Sequence, residues 1–402
     1  MNLTLLLDLD DTLLVNDIEV FLPSYLQALS QKLVGYAVPE ELIANLLSAT
    51  RRMIENRRPD CTLKQVFDAA FYPSLHLDPI DLQGEIEGFY TQIFPTLRGL
   101  THQSPEAIRL VEQALERGYH LAVTTNPLFP RTAIEQRLTW AGLSPEEVPF
   151  ELITSYESFH FTKPSAAFYA EVLGRLGWPD GPVLSIGDDL INDIAASREL
   201  GIPAFWINTK GVPDPEGLLA PTASGLMSDV LPWLDNQPEE ALQPDYTSPT
   251  AMLAILRSTP AALHALCQDL TEKAWNTRTL PEEWCPTEIL CHLRDVDQEV
   301  NLPRIRKLLE EDNPFLPGKD TDPWAKERKY ICQNGPEALA QFTRARLELL
   351  DRLESMPPDG WQYTARHAIF GPTLLSELVG IIAAHDRLHI QQLLQDLKNT
   401  TG

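Results

Sequence analysis

The chain opens on a continuous, mainly apolar stretch over residues 3–9 that ends on acids, those at positions 8 and 10 among them. Continuous rather than alternating apolarity predicts a parallel strand buried on both faces. From 17 to 100 the period changes to that of helices, expected at 22–36, 39–57, 63–72 and 80–94 with Pro and Gly between them. Beyond 100 the two periods alternate. Helices are expected at 105–117, 131–141, 165–176 and 191–200. Strands are expected at 119–124, 150–154, 183–186 and 203–207. Strands alternating with helices predict an α/β, Rossmann-like parallel sheet covered on both faces. In such a sheet the reactive positions lie at the carboxyl ends of the strands. Residues 236–249, rich in Pro and acids, are expected to be a linker. After it the pattern is wholly helical, near 250–272, 283–311, 335–355 and 373–397, which predicts an all-α four-helix bundle over 250–402.

Length and charge narrow the function classes. At 402 residues more than one core is expected. The 32 basic residues face 57 acidic ones, a net charge of −25, and splitting at 235 leaves both halves acidic, 15 against 32 and 17 against 25. Neither half has the basic excess that a phosphate backbone requires, so nucleic acid is not an expected partner. No apolar run is read as a membrane span, and the N-terminus lacks the basic flank of a signal peptide. Five scattered cysteines without a C-x-x-C pair point to reduced thiols and a cytoplasmic location.

Four strand ends carry chemistry. The first reads Asp8-Leu9-Asp10-Asp11-Thr12. Acids placed just past a buried strand are costly unless a cation or a reaction uses them. A carboxylate at the first position can attack phosphorus, and one two residues on can protonate the leaving oxygen. The second end, Val123-Thr124-Thr125-Asn126, offers a hydroxyl and backbone amides to phosphate oxygens. The third brings Lys163, in Thr162-Lys163-Pro164, as a point positive charge. The fourth, Gly187-Asp188-Asp189-Leu190-Ile191-Asn192-Asp193, can complete an oxygen-lined Mg²⁺ site. Taken singly, each has a plain alternative as a helix cap, a solvated lysine or a turn.

Together and in this order, the four segments resemble the sequence motifs of the haloacid dehalogenase-like hydrolase superfamily over residues 1–235. The resemblance implies a core of residues 1–16 and 101–235 with a helical cap at 17–100, since 117 positions separate Asp8 from Thr125, far more than one crossover needs. It implies Asp8 as nucleophile, Asp10 as general acid and base, and Lys163 steadying both nucleophile and phosphate. Thr125 and Asn126 would bind the phosphoryl group. Mg²⁺ would sit on Asp8, the Asp10 carbonyl and Asp188, supported by Asp189 and Asp193, and Thr12 would lock the loop by hydrogen bonding. The dehalogenase branch lacks the second acid, so Asp10 favours hydrolysis of a small phosphorylated metabolite. A phosphomutase or a non-catalytic phospho-ligand sensor are the alternatives. Asp11 stands where many sugar phosphatases have Gly. The cap arginines Arg51, Arg52, Arg57 and Arg58 are read as a solvated face, with contact to a second anionic group as the alternative.

In the second half, His385 and His389 are spaced i, i+4 on one helical face, so both imidazoles can reach one metal. A third, His292, lies on the second bundle helix. Trp284, Pro286 and Glu288 leading to His292-Leu293, with Ile382-Ala383-Ala384-His385-Asp386-Arg387-Leu388-His389, resemble the DinB-like superfamily of metal-binding bundles over about 246–400. That resemblance implies that His292, His385 and His389 hold a second divalent transition metal, zinc or nickel. Asp386 and Asp295 are read as surface acids, with support of the metal-binding histidines as the alternative. The bundle is either a metalloenzyme or a structural, dimerising module that would make a homodimer.

Overall fold

Leu3 and Leu5–Leu7 are fully buried, as a strand apolar on both faces requires. The computed structural model describes residues 2–401. It divides into two compact units, Met1–Val172 with Pro179–Asp245 and Leu173–Trp178 with Tyr246–Gly402.

In the first unit, strands β1 (Thr4–Leu7), β4 (His120–Val123), β5 (Leu152–Ile153), β6 (Val183–Gly187), β7 (Ala204–Ile207) and β8 (Ala223–Gly225) form one parallel sheet. Its order is β5-β4-β1-β6-β7-β8. The chain leaves β1 to one side for β4 and to the other for β6, so β1 sits at the topological switch point where ligands of such sheets bind. Register aligns three of the strand ends. Leu7 stands beside Val123 of β4 and Ile186 of β6, which brings positions 8, 124 and 187 to one edge. The sheet, its helices and the helical cap expected from the sequence are all present.

The cap is stitched in by a device that the periodicity does not reveal. Strands β2 (Leu14–Asn16) and β3 (Thr101–Gln103) pair antiparallel, bringing the start and end of the insertion together. At three residues each they are too short to show a period. The cap's first helix, expected from 22, begins at Ile18 because Asp17 accepts the Glu19 amide as an N-cap. Helices Pro39–Ile54, Leu63–Ser74 and Pro79–Gly88 follow. A single apolar cluster joins cap residues such as Phe21, Phe71 and Phe89 to Leu5, Leu7 and Val123 of the sheet. Leu242, inside the stretch read as linker, is buried in that same cluster, and Glu239–Leu242 forms a 3₁₀ turn.

The second unit is the expected bundle. Its long helices are Pro249–Cys267, Pro286–Val296 continuing into Leu302–Glu310, Gly335–Ser355 and Leu375–Thr401. The first and second each pack on both the third and the fourth. The second, expected to be continuous over 283–311, is interrupted by a π turn at Asp297–Asn301. Pro303 follows at once and has no amide hydrogen for the carbonyl four residues back. A small sheet of β9 (Phe315–Leu316), β10 (Thr364–His367) and β11 (Gly371–Leu374) was not expected. Against the expectation of no membrane-length run, Pro249–Cys267 is long and apolar enough on composition to cross a bilayer. Yet 72% of that window is buried within the protein, which accounts for its apolarity on most faces.

Candidate phosphoryl-transfer and metal centres

At the sheet edge, Asp8, Asp188 and Asp193 each offer a carboxylate oxygen within 4.8 Å of the others. Lys163, buried among them, donates to Asp8 Oδ1 at 2.7 Å and to Asp193 Oδ1 at 2.5 Å. Burial works against its ammonium, but the charges of Asp193 and Asp8 more than offset this and hold its pKa well above the ordinary lysine range. One lysine cannot balance three carboxylates. Asp188 shows the imbalance: burial, and then the charges of Asp8, Asp193, Asp11 and Asp189, push its pKa up to about 8. A group of oxygens so crowded and under-neutralised suits a hard divalent cation.

Each member is held from behind. The Asp8 amide donates to Ile186 O at 3.0 Å, so the strand itself fixes the carboxylate's root. Trp206 Nε1 donates to the Asp188 carbonyl at 2.8 Å. Asp193 receives Lys163 on one oxygen and the Asp189 amide on the other, 3.0 Å away. It therefore positions the lysine and the loop while its oxygens stay within reach of those of Asp8 and Asp188. Asp189, expected to support the metal, also has a local role. Its Oδ1 accepts the amides of Ile191 and Asn192, both at 2.8 Å, and caps the following turn.

The loop after Asp8 departs from expectation at Thr12. Its Oγ1 is buried and has no hydrogen-bond partner among the described residues. The loop closes through backbone instead, with Leu13 and Leu14 amides on Leu9 O and the Asp11 amide on Leu14 O. Asp11 has φ +53°, the left-handed region that favours Gly and admits Asp. Its carboxylate accepts the Asn16 amide at 2.9 Å. Asp is among the few residues other than Gly that tolerate this conformation.

Asp10 Oδ1 accepts Asn16 Nδ2 at 2.8 Å and is ion-paired with Arg137, a fully buried guanidinium flanked by the rings of Phe21 and Phe129. Burial pulls the Arg137 pKa down to about 10, still charged at neutral pH. Motif spacing does not reveal Arg137. The available signal was a cation on the helical face of Ile134, Leu138 and Ala141. On β4, the Thr124 amide donates to Leu7 O at 2.7 Å, seating Thr125 and Asn126 next to the Asp8 loop. Thr125 O accepts Thr154 Oγ1 at 2.6 Å, and Asn126 Oδ1 is a buried acceptor without a partner among the described residues.

Gly187 matters through its missing side chain. A Cβ there would overlap the Asp193 carboxylate. Gly187→Ala is expected to displace Asp193, loosen Lys163 and cut kcat by roughly tenfold to a hundredfold, with an unchanged circular-dichroism spectrum. Wild-type turnover in this variant would show that the Asp193–Lys163 placement is not needed.

In the second unit, His385 Nε2 lies 3.1 Å from both His292 Nε2 and His389 Nε2. Three imidazole nitrogens converging on one point suit a transition metal. Burial first, then the neighbouring imidazoles, lowers the His292 and His385 pKa values to about 3, so both are neutral and able to ligate at neutral pH. Gln392 Oε1 sits 2.9 Å from His389 Nδ1 and orients its other nitrogen toward the group. Trp284 stacks on His389 with a 6.0 Å ring separation. Asp386 and Asp295 are not surface acids. Asp386 is buried against Arg346, and Asp295 is held by Arg294, Arg328 and Tyr330. A helical polar face cannot distinguish water from a buried arginine as its neighbour. The cap arginines are exposed. Arg58 pairs with Asp60, and Arg57 donates to the Ile54 and Asn56 carbonyls.

Comparison with known proteins gives two family matches. The model for haloacid dehalogenase-like hydrolases matches residues 5–207, and that for the DinB superfamily matches 255–393. Haloacid dehalogenase-like hydrolase domain-containing protein 3 of Danio rerio is 34% identical over 61 residues, which is 15% of this chain. The match spans a quarter of that relative's length. The crystal structure of a HAD phosphatase from Thermococcus onnurineus aligns at 21% identity and TM-score 0.39, covering 58% of this chain and 98% of that one. YfiT of Bacillus subtilis, a four-helix bundle, aligns at 16% identity and TM-score 0.36, covering 41% of this chain and 93% of its own.

Proposed function

The chain belongs to the haloacid dehalogenase-like hydrolase family, joined to a DinB-like bundle, and on that premise we propose that it is a Mg²⁺-dependent phosphatase acting through a phospho-Asp8 intermediate. The observation that carries this is Lys163 bridging Asp8 and Asp193 beside Asp188. That arrangement supplies a nucleophile, a fixed positive charge and an under-neutralised oxygen cluster at one point. Mg²⁺, held by Asp8 and Asp188, would offset charge on the transferring phosphoryl group.

The protein's own groups do the rest. Lys163 occupies one oxygen of Asp8 and orients the carboxylate for in-line attack on phosphorus. Thr125 and Asn126 bind the phosphoryl oxygens. The P–O bond to the alcohol breaks as Asp10 donates its proton to the leaving oxygen. Asp10, ionised again and steadied by Arg137 and Asn16, then takes a proton from water as it attacks the phosphoryl group and frees Asp8. A phosphatase of this kind releases phosphate at the rate at which ester disappears. Substrate loss without phosphate release would instead indicate transfer to another acceptor.

We propose that the His292–His385–His389 triad binds zinc or nickel with coordination positions left over. Elemental analysis of His292→Ala and His389→Ala is expected to show loss of about one metal equivalent per chain relative to wild type. Equal metal in all three proteins would refute the triad as ligand set.

A further inference from the structure

Between the cap helices and the loop after Asn126 lies a cavity of about 330 Å³, within the range that buries a small organic ligand. Its wall includes Leu22, Leu46, Phe67 and Phe71 from the cap and Phe129 and Tyr156 from the core. No Lys, Arg, His, Asp or Glu lines it among the described residues. Of its polar side chains, the Tyr25 and Tyr90 hydroxyls pair with each other at 2.9 Å and Thr50 Oγ1 donates to Leu46 O, while Tyr72 and Tyr156 add two phenols to an otherwise apolar wall. Burial keeps Tyr25 and Tyr90 protonated, with Tyr25 pushed up to about 12, so the wall stays uncharged at physiological pH.

One wall of the cavity connects to the proposed chemistry through Phe129 and Leu128. Phe129 forms part of its wall and also flanks the Arg137 guanidinium at 5.5 Å, and Arg137 is paired with Asp10, the proposed donor to the leaving oxygen. The Leu128 amide donates to Asn126 O at 2.7 Å, tying the same wall to the proposed phosphoryl-binding loop. Ile18 and Leu47, also on the wall, are about half exposed and give it a mouth to solvent. A leaving alcohol must sit on the Asp10 side of the phosphorus, and Phe129 links that side to the apolar cavity.

Resting on the phosphatase reading, we infer that the esters cleaved here carry an apolar alkyl or aryl alcohol seated in this cavity, rather than a sugar or a second anionic group. A sugar would leave several hydroxyls unpaired in the cavity, and a carboxylate would be desolvated with no cation to meet it.

The test uses the whole 402-residue chain with Mg²⁺ and three esters of primary alcohols: ethyl phosphate, hexyl phosphate and glycerol 3-phosphate. The kcat/KM for the hexyl ester is expected to exceed that for the other two by on the order of a hundredfold, the gain from burying four further methylenes. Leu47→Glu, at the partly exposed mouth, is expected to collapse the hexyl-to-ethyl ratio by at least about tenfold. Equal turnover of hexyl and ethyl esters, or preference for glycerol 3-phosphate, overturns the inference and leaves the phosphatase reading intact. Failure to cleave any ester overturns the phosphatase reading. The cavity is then judged by calorimetry with hexylphosphonate and ethylphosphonate: tighter binding of the hexyl compound supports it, and equal binding refutes it.

Discussion

Replacing Asp8 by Asn is expected to reduce Mg²⁺-dependent hydrolysis of an alkyl or aryl phosphate by a factor on the order of 10⁴ or more, without unfolding the protein. The carboxamide keeps the shape of the side chain, so the Asp8 backbone bond to Ile186 O and the packing of β1 should persist. What disappears is the nucleophilic oxygen and one of the charges that Lys163 holds at 2.7 Å. Removing a covalent nucleophile removes the whole two-step route, leaving only binding and electrostatic stabilisation of direct attack by water. Steady-state kinetics, with circular dichroism as the control, checks this. Activity within tenfold of wild type would show that phosphorus is not attacked by this carboxylate.

The largest loss of stability is expected at Arg346, far from any proposed chemistry. Its guanidinium is wholly buried in the bundle and binds two buried carboxylates: Asp297 through Nε at 2.8 Å and Nη2 at 3.2 Å, and Asp386 through both Nη atoms. Nη1 also donates to Leu256 O at 3.2 Å, so this one side chain links all four helices. Arg346→Met fills much of the same volume but leaves two acids in the interior with no countercharge. Breaking a buried ion pair by removing one partner costs about 3–5 kcal/mol. Urea unfolding followed by tryptophan fluorescence is expected to show a loss of that size. A change under about 1 kcal/mol would mean that water or rearrangement compensates the acids.

The contrast between these two sites shows which features a sequence makes legible. The residues proposed for phosphoryl transfer are local to strand ends. An apolar run ending in Asp8, a Gly187-Asp188 turn and a lysine before a helix can each be read in a few residues. The parallel sheet then brings them together because its register is set by the same apolar runs. His385 and His389 are legible for a similar reason, since four residues on a helix make one face. Arg137, Asp297 and Arg346 are not legible in this way. Each looks like an ordinary helical charge, and only its tertiary partner reveals that it is buried. The cap cavity has no sequence signature at all. Its wall comes from residues spread from Ile18 to Tyr156, every one of which also fits the description of a core position. The role expected of Thr12 did not follow from residue type, because backbone amides close that loop and leave its hydroxyl without a partner among the described residues.

The central claim is that a phosphoryl group passes through the Asp8 carboxylate. Acid quenching of the full-length enzyme during turnover, followed by peptide mass spectrometry, tests it most directly. The expected result is a phosphoryl adduct on the peptide bearing Asp8, labile to hydroxylamine and missing from Asp8→Asn. Rapid phosphate release with no such adduct at any quench time, or an adduct on a different residue, would contradict it.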